Sequence, residues 1–167
     1  DADYTVEDNF HVLKFNQSKF DFLDDDWIVN ENNLIKFDNN ILNIENLEFK
    51  NETQRVKVNS FGTQGVNMVV ENFSLGFLKG FLPADQASIT GLGLVNVSID
   101  SLFSLKNIKL NGNFDSIFIN KNPLGKAALI ANAKSLEDKL NVNMLIGEDE
   151  KQFTANGFIT LDGYKDK

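Results

Sequence analysis

The chain contains no cysteine, which excludes disulfide frameworks, thiolate zinc sites and cysteine nucleophiles together. It has one histidine, His11. With no second histidine or cysteine to share a metal, His11 reads as an ordinary surface or edge residue. Only two prolines occur, and tryptophan (1) and tyrosine (2) are scarce beside fifteen phenylalanines. Basic charge is also short: 16 Lys and Arg face 24 Asp and Glu, for a net charge of −8 and a pI near 4.6. A phosphate backbone is gripped by a basic footprint, so nucleic acid is not an expected partner. Electrostatic attachment to anionic headgroups is disfavoured for the same reason, and a lipid partner would have to be held by its tails. No apolar run approaches the roughly 18 residues of a membrane-spanning helix.

Catalytic signatures are missing as well. The spacings G-x-S-x-G and H-E-x-x-H are absent. "GTQG" (62–65) lacks the Lys-Ser/Thr ending of a phosphate cradle. Gly91 and Gly93 sit inside a strand pattern and read as a sharp bend or a close backbone approach. The acidic run Asp24-Asp25-Asp26 lacks the spaced ligands of a calcium loop and reads as a solvated turn. No catalytic residue, metal ligand or cofactor is expected, and the chain reads as non-enzymatic.

What the sequence does have is alternation. At 167 residues and 42 % hydrophobic content it is long enough for one domain with a core. Apolar and polar residues alternate in about ten stretches divided by Gly, Asn and Asp turns, the pattern of an antiparallel all-β fold. The single-phase sets are Val66/Met68/Val70, Val95/Val97/Ile99, Ile108/Leu110, Leu129, Leu140/Val142/Met144/Ile146 and Phe153. Leu42 and Ile44 lie in one phase and Leu47 and Phe49 in the other, predicting a bulge or corner near Asn46. The opening acidic residues, 1–9, read as a frayed end or an edge. Each strand is apolar on one face only, so one large apolar face must be hidden or used.

One stretch breaks the rhythm. In "NFSLGFLKGFLP" (72–83), Leu75, Leu78 and Leu82 fall at helical spacing, with Phe77 and Phe81 beside them. This predicts a short helix around 74–82, capped by Ser74, that either plugs one end of the apolar interior or lines the seam where the sheet folds over, with the plug preferred.

The order of segments carries a resemblance. "DDDWIVNENNLIKFDNNILNIENLEFKNETQRVKVNSFG" resembles a recurrent unit of the TamB family in its Bacteroidetes form: a Trp-led strand, an Asn turn, "x-I-x-F" and a closing apolar stretch. "VENFSLGFLKGFLP", "SITGLGLVNVSI" and "NPLGKAALIANAKSLEDKLNVNMLIGEDEKQFTANGFI" are similar to the segments that follow, so the likeness runs from about Phe10 to Tyr164. The stretch "DSLFSLKNIKLNGNFDSIFI" departs from the family in lacking an Asn-Pro step. The resemblance implies an AsmA-like, β-taco fold: an elongated antiparallel sheet curled lengthwise around an apolar groove. It further implies one β-rich segment, 1–167, of a larger periplasmic protein anchored at the inner membrane. The implied work is shielding phospholipid acyl chains on their way to the outer membrane, and supporting outer-membrane protein assembly with a BamA-like barrel partner. The single-phase residues named above are then the groove, and Leu75, Phe77, Leu78, Phe81 and Leu82 its plug. The alternative is a closed β-sandwich that serves as a spacer or docks an assembly partner.

Overall fold

The computed structural model describes residues 1–22, 25–76, 88–135, 139–148 and 151–160. The described chain is all-β. Fourteen strands follow one another: β1 (Ala2–Glu7), β2 (Phe10–Phe15), β3 (Ser18–Phe22), β4 (Asp25–Val29), β5 (Leu34–Phe37), β6 (Leu42–Glu45), β7 (Leu47–Lys50), β8 (Arg55–Phe61), β9 (Gly65–Ser74), β10 (Ile89–Ser101), β11 (Lys106–Ile119), β12 (Asn122–Ala133), β13 (Lys139–Glu148) and β14 (Lys151–Thr160). The excess over the expected ten lies in the first fifty residues, where 4- to 6-residue strands are separated by very short turns. The opening residues form an edge strand, β1, paired with β2.

All strand pairs are antiparallel and make two sheets. The small sheet has the order β1-β2-β5-β6 and the long one β14-β13-β12-β11-β10-β9-β8-β7-β4-β3. From β7 onward the long sheet is a plain meander in which strands successive in sequence pair in space; most connections are short turns, and β9 and β10 are joined through residues 75–88. Before β7 the chain crosses repeatedly between the sheets: at β2–β3, at β4–β5 and at β6–β7.

Asparagine marks every crossing. Asn46 stands between β6 and β7 with φ 52°, a left-handed conformation that Asn tolerates better than most residues. The phase slip seen in the sequence is thus a corner where the chain leaves one sheet for the other. Asn30, at the end of β4, donates from Nδ2 to the Asn46 carbonyl (2.7 Å) and accepts from the Glu48 N–H (3.0 Å). Asn33, just before β5, is 2 % exposed. Its Oδ1 accepts from the Phe15 N–H at 2.7 Å, and its Nδ2 donates to the Phe15 carbonyl at 2.8 Å and also to the Asn30 carbonyl. The side-chain amide therefore replaces the backbone partners that Phe15 loses as β2 leaves its sheet.

The two sheets share a core of Val29, Leu42, Ile44, Leu47 and Val66, with Phe15, Ile35, Phe37, Phe49, Val58 and Leu102 packed against it. Each such side chain fully buried is worth about 1.5–3 kcal/mol. A second core, around Val70, Leu75, Val95, Phe114, Ile117 and Ala127, belongs to the long sheet and its Leu75 segment.

Two expectations change here. Asp25 and Asp26 are not turn residues; they open β4 and pair with Phe22 and Asp21, because Trp27 and Val29 draw the whole segment into the sheet. The helix expected over 74–82 lies mostly outside the described residues, and so do Phe77, Leu78, Phe81 and Leu82. What is described is its beginning: the backbone turns at 75–76, and the Gly76 N–H donates to Ser74 Oγ at 3.2 Å, the bond an N-cap makes.

Candidate functional site: the apolar face of the long sheet

Residues directly opposite in an antiparallel ladder point to the same face, so the register tells which side chains stand together. One row can be followed across every strand of the long sheet: Ser18, Val29, Phe49, Val56, Val70, Val95, Gly112, Leu129, Met144, Ala155. The next row runs Leu47, Val58, Met68, Val97, Leu110, Ala131, Val142, Gly157. A third joins Val66, Ile99, Ile108 and Ala133, and a fourth Phe114, Ala127, Ile146 and Phe153. Every residue of the single-phase sets, Leu140 included, falls on this one face.

The opposite face is polar. Its matching row is Glu48, Lys57, Val69, Asn96, Asn111, Ile130, Asn143, Asn156, in which Asn143 Nδ2 donates to Asn156 Oδ1 at 2.5 Å. Near β8 and β9 this face carries ion pairs: Lys57 Nζ lies 2.7 Å from Glu71, and Arg55 reaches both Glu71 (3.4 Å) and Glu48 (3.5 Å). The hydrogen bond from Lys57 holds the Glu71 carboxyl below its ordinary value; partial desolvation opposes this, and the charges of Lys57 and Arg55 add to it. The ion pairs and the asparagine row thus lie on the side opposite the single-phase apolar rows, although Leu94, Ile130 and Phe158 also stand exposed there.

Burial of the apolar face is graded. Val66, Val70 and Val95 are buried under neighbours. Met68, Val97, Ile99, Ile108, Leu110, Leu129, Leu140, Val142, Met144 and Ile146 are only half-buried, and Phe153 is 63 % exposed. The small sheet lies over the Val66 end of β8 and β9, and Leu75 packs at the other end of the strands beside Gly91. Between β10 and β14 the described residues supply no second layer of strands.

Two local irregularities shape the face. A Cβ on Gly93 would meet the Asn113 carbonyl oxygen at 2.3 Å and the Phe114 ring at 2.4 Å, and one on Gly112 would stand 3.0 Å from the same ring. Phe114 thus lies across two glycines, which accounts for the glycine inside a good strand as a close approach. A register shift beside Gly93 also flips the phase on β11, so Phe114 and Ile117 both end up buried on the apolar face. Sequence alternation alone misses Ile117, since a bulge leaves no period-2 signal.

Two depressions open on the apolar face. One, about 70 Å³, is lined by Leu75, Ile89, Phe114, Ile117, Ile119, Ala127, Leu129, Met144 and Ile146. The other, about 560 Å³, is lined by Phe22, Asp25, Trp27, Gln54, Val56, Val70, Phe73 and Ser74. Trp27, on its wall, is 8 % exposed, and its buried Nε1–H has no hydrogen-bond partner among the described residues. An unsatisfied buried donor costs about 1–3 kcal/mol. The sequence sets Val56 and Val58 on one strand face but does not place Trp27 or Phe73; Trp27 joins this face because β4 pairs with β7, a strand distant in sequence.

His11 stacks between Tyr4 (centroids 5.9 Å apart) and Phe37 (5.1 Å), and Tyr4 Oη shares a hydrogen bond with its Nδ1. Among the described residues no group of three or more His, Cys, Asp or Glu could hold a metal. None of the described helical segments is long and apolar enough to cross a membrane. Comparison with protein-family models, curated proteins and solved structures gives no match to this chain.

Proposed function

We propose that this chain is an acyl-chain-shielding segment of a cell-envelope bridge, the long sheet serving as one wall of a trough for phospholipid tails. The observation that carries the reading is the continuous apolar row from Val29 to Ala155, half-buried over its later strands and backed by a polar face. At about 4.8 Å per strand, the nine strands from β4 to β14 give a row of roughly 38 Å. One leaflet of a bilayer core is roughly 15 Å deep, so an extended acyl chain fits with length to spare. Burial gains about 0.8 kcal/mol per CH₂ and has no direction, so a tail lying along such a row can slide without losing much at any step. In the reading we propose, the full-length protein sits in the periplasm, anchored at the inner membrane. It passes phospholipid toward the outer membrane and supports protein assembly there with a BamA-like barrel partner. The sequence resemblance to the TamB family points the same way.

The position of Leu75, at the strand ends of the apolar face, bears on the role of its segment. Side chains placed there border the long side of a trough, so we favour a seam over the end plug suggested by the sequence. A second reading has its own observation. The core shared by Val29, Leu42, Ile44, Leu47 and Val66 is two-layered. That part of the chain suits a closed sandwich, used as a spacer or to dock an assembly partner.

Lipid retention separates the two. The purified chain, released from envelope extracts without detergent, should carry phospholipid detectable by native mass spectrometry. Leu129→Asp, in the middle of the apolar row, should remove it, whereas Asn143→Asp on the polar face should not. Should Leu129→Asp fail to fold, Phe153→Asp at the exposed end of the same face takes its place. Retention unchanged in the folded variant would refute a trough along this face and leave the sandwich.

A further inference from the structure

The cavity bounded by Trp27, Val56, Val70 and Phe73 differs from the rest of the apolar face in having polar groups at its margin: Asp25, Gln54 and Ser74. Asp25 and Trp27 are two apart on β4, so both side chains stand on the apolar side of the sheet, while Asp26 points to the other. The Asp25 carboxylate accepts from Asn51 Nδ2 at 3.3 Å, and no Lys or Arg among the described residues forms an ion pair with it. The cations nearest in sequence to Gln54, Arg55 and Lys57, are already committed to Glu48 and Glu71 on the polar face. Charge is distributed unevenly along the chain too. Residues 1–88 hold fifteen acidic and seven basic side chains, against nine of each in 89–167. The cavity thus joins a hydrocarbon wall to an uncompensated carboxylate in the acidic half of the molecule. Its wall also contains an indole N–H that lacks an acceptor.

Resting on the lipid-shielding reading, we infer that this cavity is a headgroup site selecting a zwitterionic lipid whose head carries a primary ammonium, over an anionic one. The ammonium meets Asp25, the tail runs over Val56 and Val70, and an ester carbonyl supplies the acceptor for Trp27 Nε1. Since Nε1 is covered against water, the indole must tilt for that bond to form. An anionic head sharing the cavity would be repelled by Asp25, with which no Lys or Arg among the described residues is paired. The rest of the apolar face, lacking such groups, has no means of choosing between heads.

Trp27 is the only tryptophan in the chain, so its emission reports on this site alone. The test titrates the purified chain with lysophosphatidylethanolamine and with lysophosphatidylglycerol of the same acyl chain, below micelle formation. Binding is measured independently by native mass spectrometry. The expected result is a saturable Trp27 shift with the ethanolamine lipid, at least about tenfold tighter than with the glycerol lipid, from one charge-assisted hydrogen bond. Asp25→Asn should abolish the preference while leaving chain-length-dependent binding, and Asp26→Asn should change neither. Equal affinities for the two lipids, or a preference that survives Asp25→Asn, would overturn the headgroup site and leave lipid shielding intact. So would binding by mass with no Trp27 response. Absence of both lipids from the mass spectrum would remove the shielding reading as well.

Discussion

Asn33 shows how one side chain can hold a crossing between sheets. It is buried, and both its amide oxygen and its amide nitrogen stand in for strand partners of Phe15. Asn33→Ala leaves the Phe15 N–H and carbonyl unpaired in a dry site. The expected loss is about 1–3 kcal/mol, read as a lower urea midpoint with an unchanged slope. Gly93 and Gly157 make a second residue-scale contrast. Both are in strands of the long sheet, but a Cβ on Gly93 strikes Asn113 and Phe114, while one on Gly157 meets nothing within 4 Å. Gly93→Val should cost about 1–3 kcal/mol or more, and Gly157→Val should be neutral or stabilising in thermal unfolding. Equal effects at the two positions would show that Phe114 does not lean on Gly93. Nothing in the sequence singles out Asn33 among the many asparagines, because its role comes from burial against a residue eighteen positions away.

At the scale of the strand, period-2 alternation was enough to place most apolar side chains on one face of the long sheet, from Val66 through Phe153. The corner at Asn46 was legible for the same reason, since a reversal of phase across one residue has few other causes. What alternation could not reveal was which sheet each short N-terminal strand would join. The segment "LIKF" reads equally well in either sheet, and its pairing with β2 and β6 is settled by contacts distant in sequence. The β8–β9 pair adds a prediction about pH. Glu71 has a lowered pKa through Lys57, so its contribution is present at neutral pH and is lost as pH falls from about 4.5 through the folded-state value. The pair is well exposed on both sides, so the effect is small, under about 1 kcal/mol. Wild type and Glu71→Gln should therefore differ slightly in urea midpoint at pH 7 and converge as pH falls below the folded-state value. A difference that grows on acidification would contradict the assignment.

For the whole molecule, the two sheets divide the work unequally. The N-terminal crossings build a two-layered core around Val29, Leu47 and Val66, which gives the chain a stable body. The later strands extend an apolar face from that body with no second layer of strands among the described residues. Across the later strands the opposite face keeps a row of asparagines, Asn96, Asn111, Asn143 and Asn156, interrupted by Ile130. A face of this kind is costly in water unless something apolar covers it, and an acyl chain is the cover that the account assigns. The most direct measurement is site-specific photo-crosslinking in cells from Val97 and Met144, with Asn96 and Asn143 on the opposite face as controls. The account predicts phospholipid adducts from Val97 and Met144 and none from the two asparagines. Protein adducts alone from Val97 and Met144, or lipid adducts equally from both faces, would contradict it.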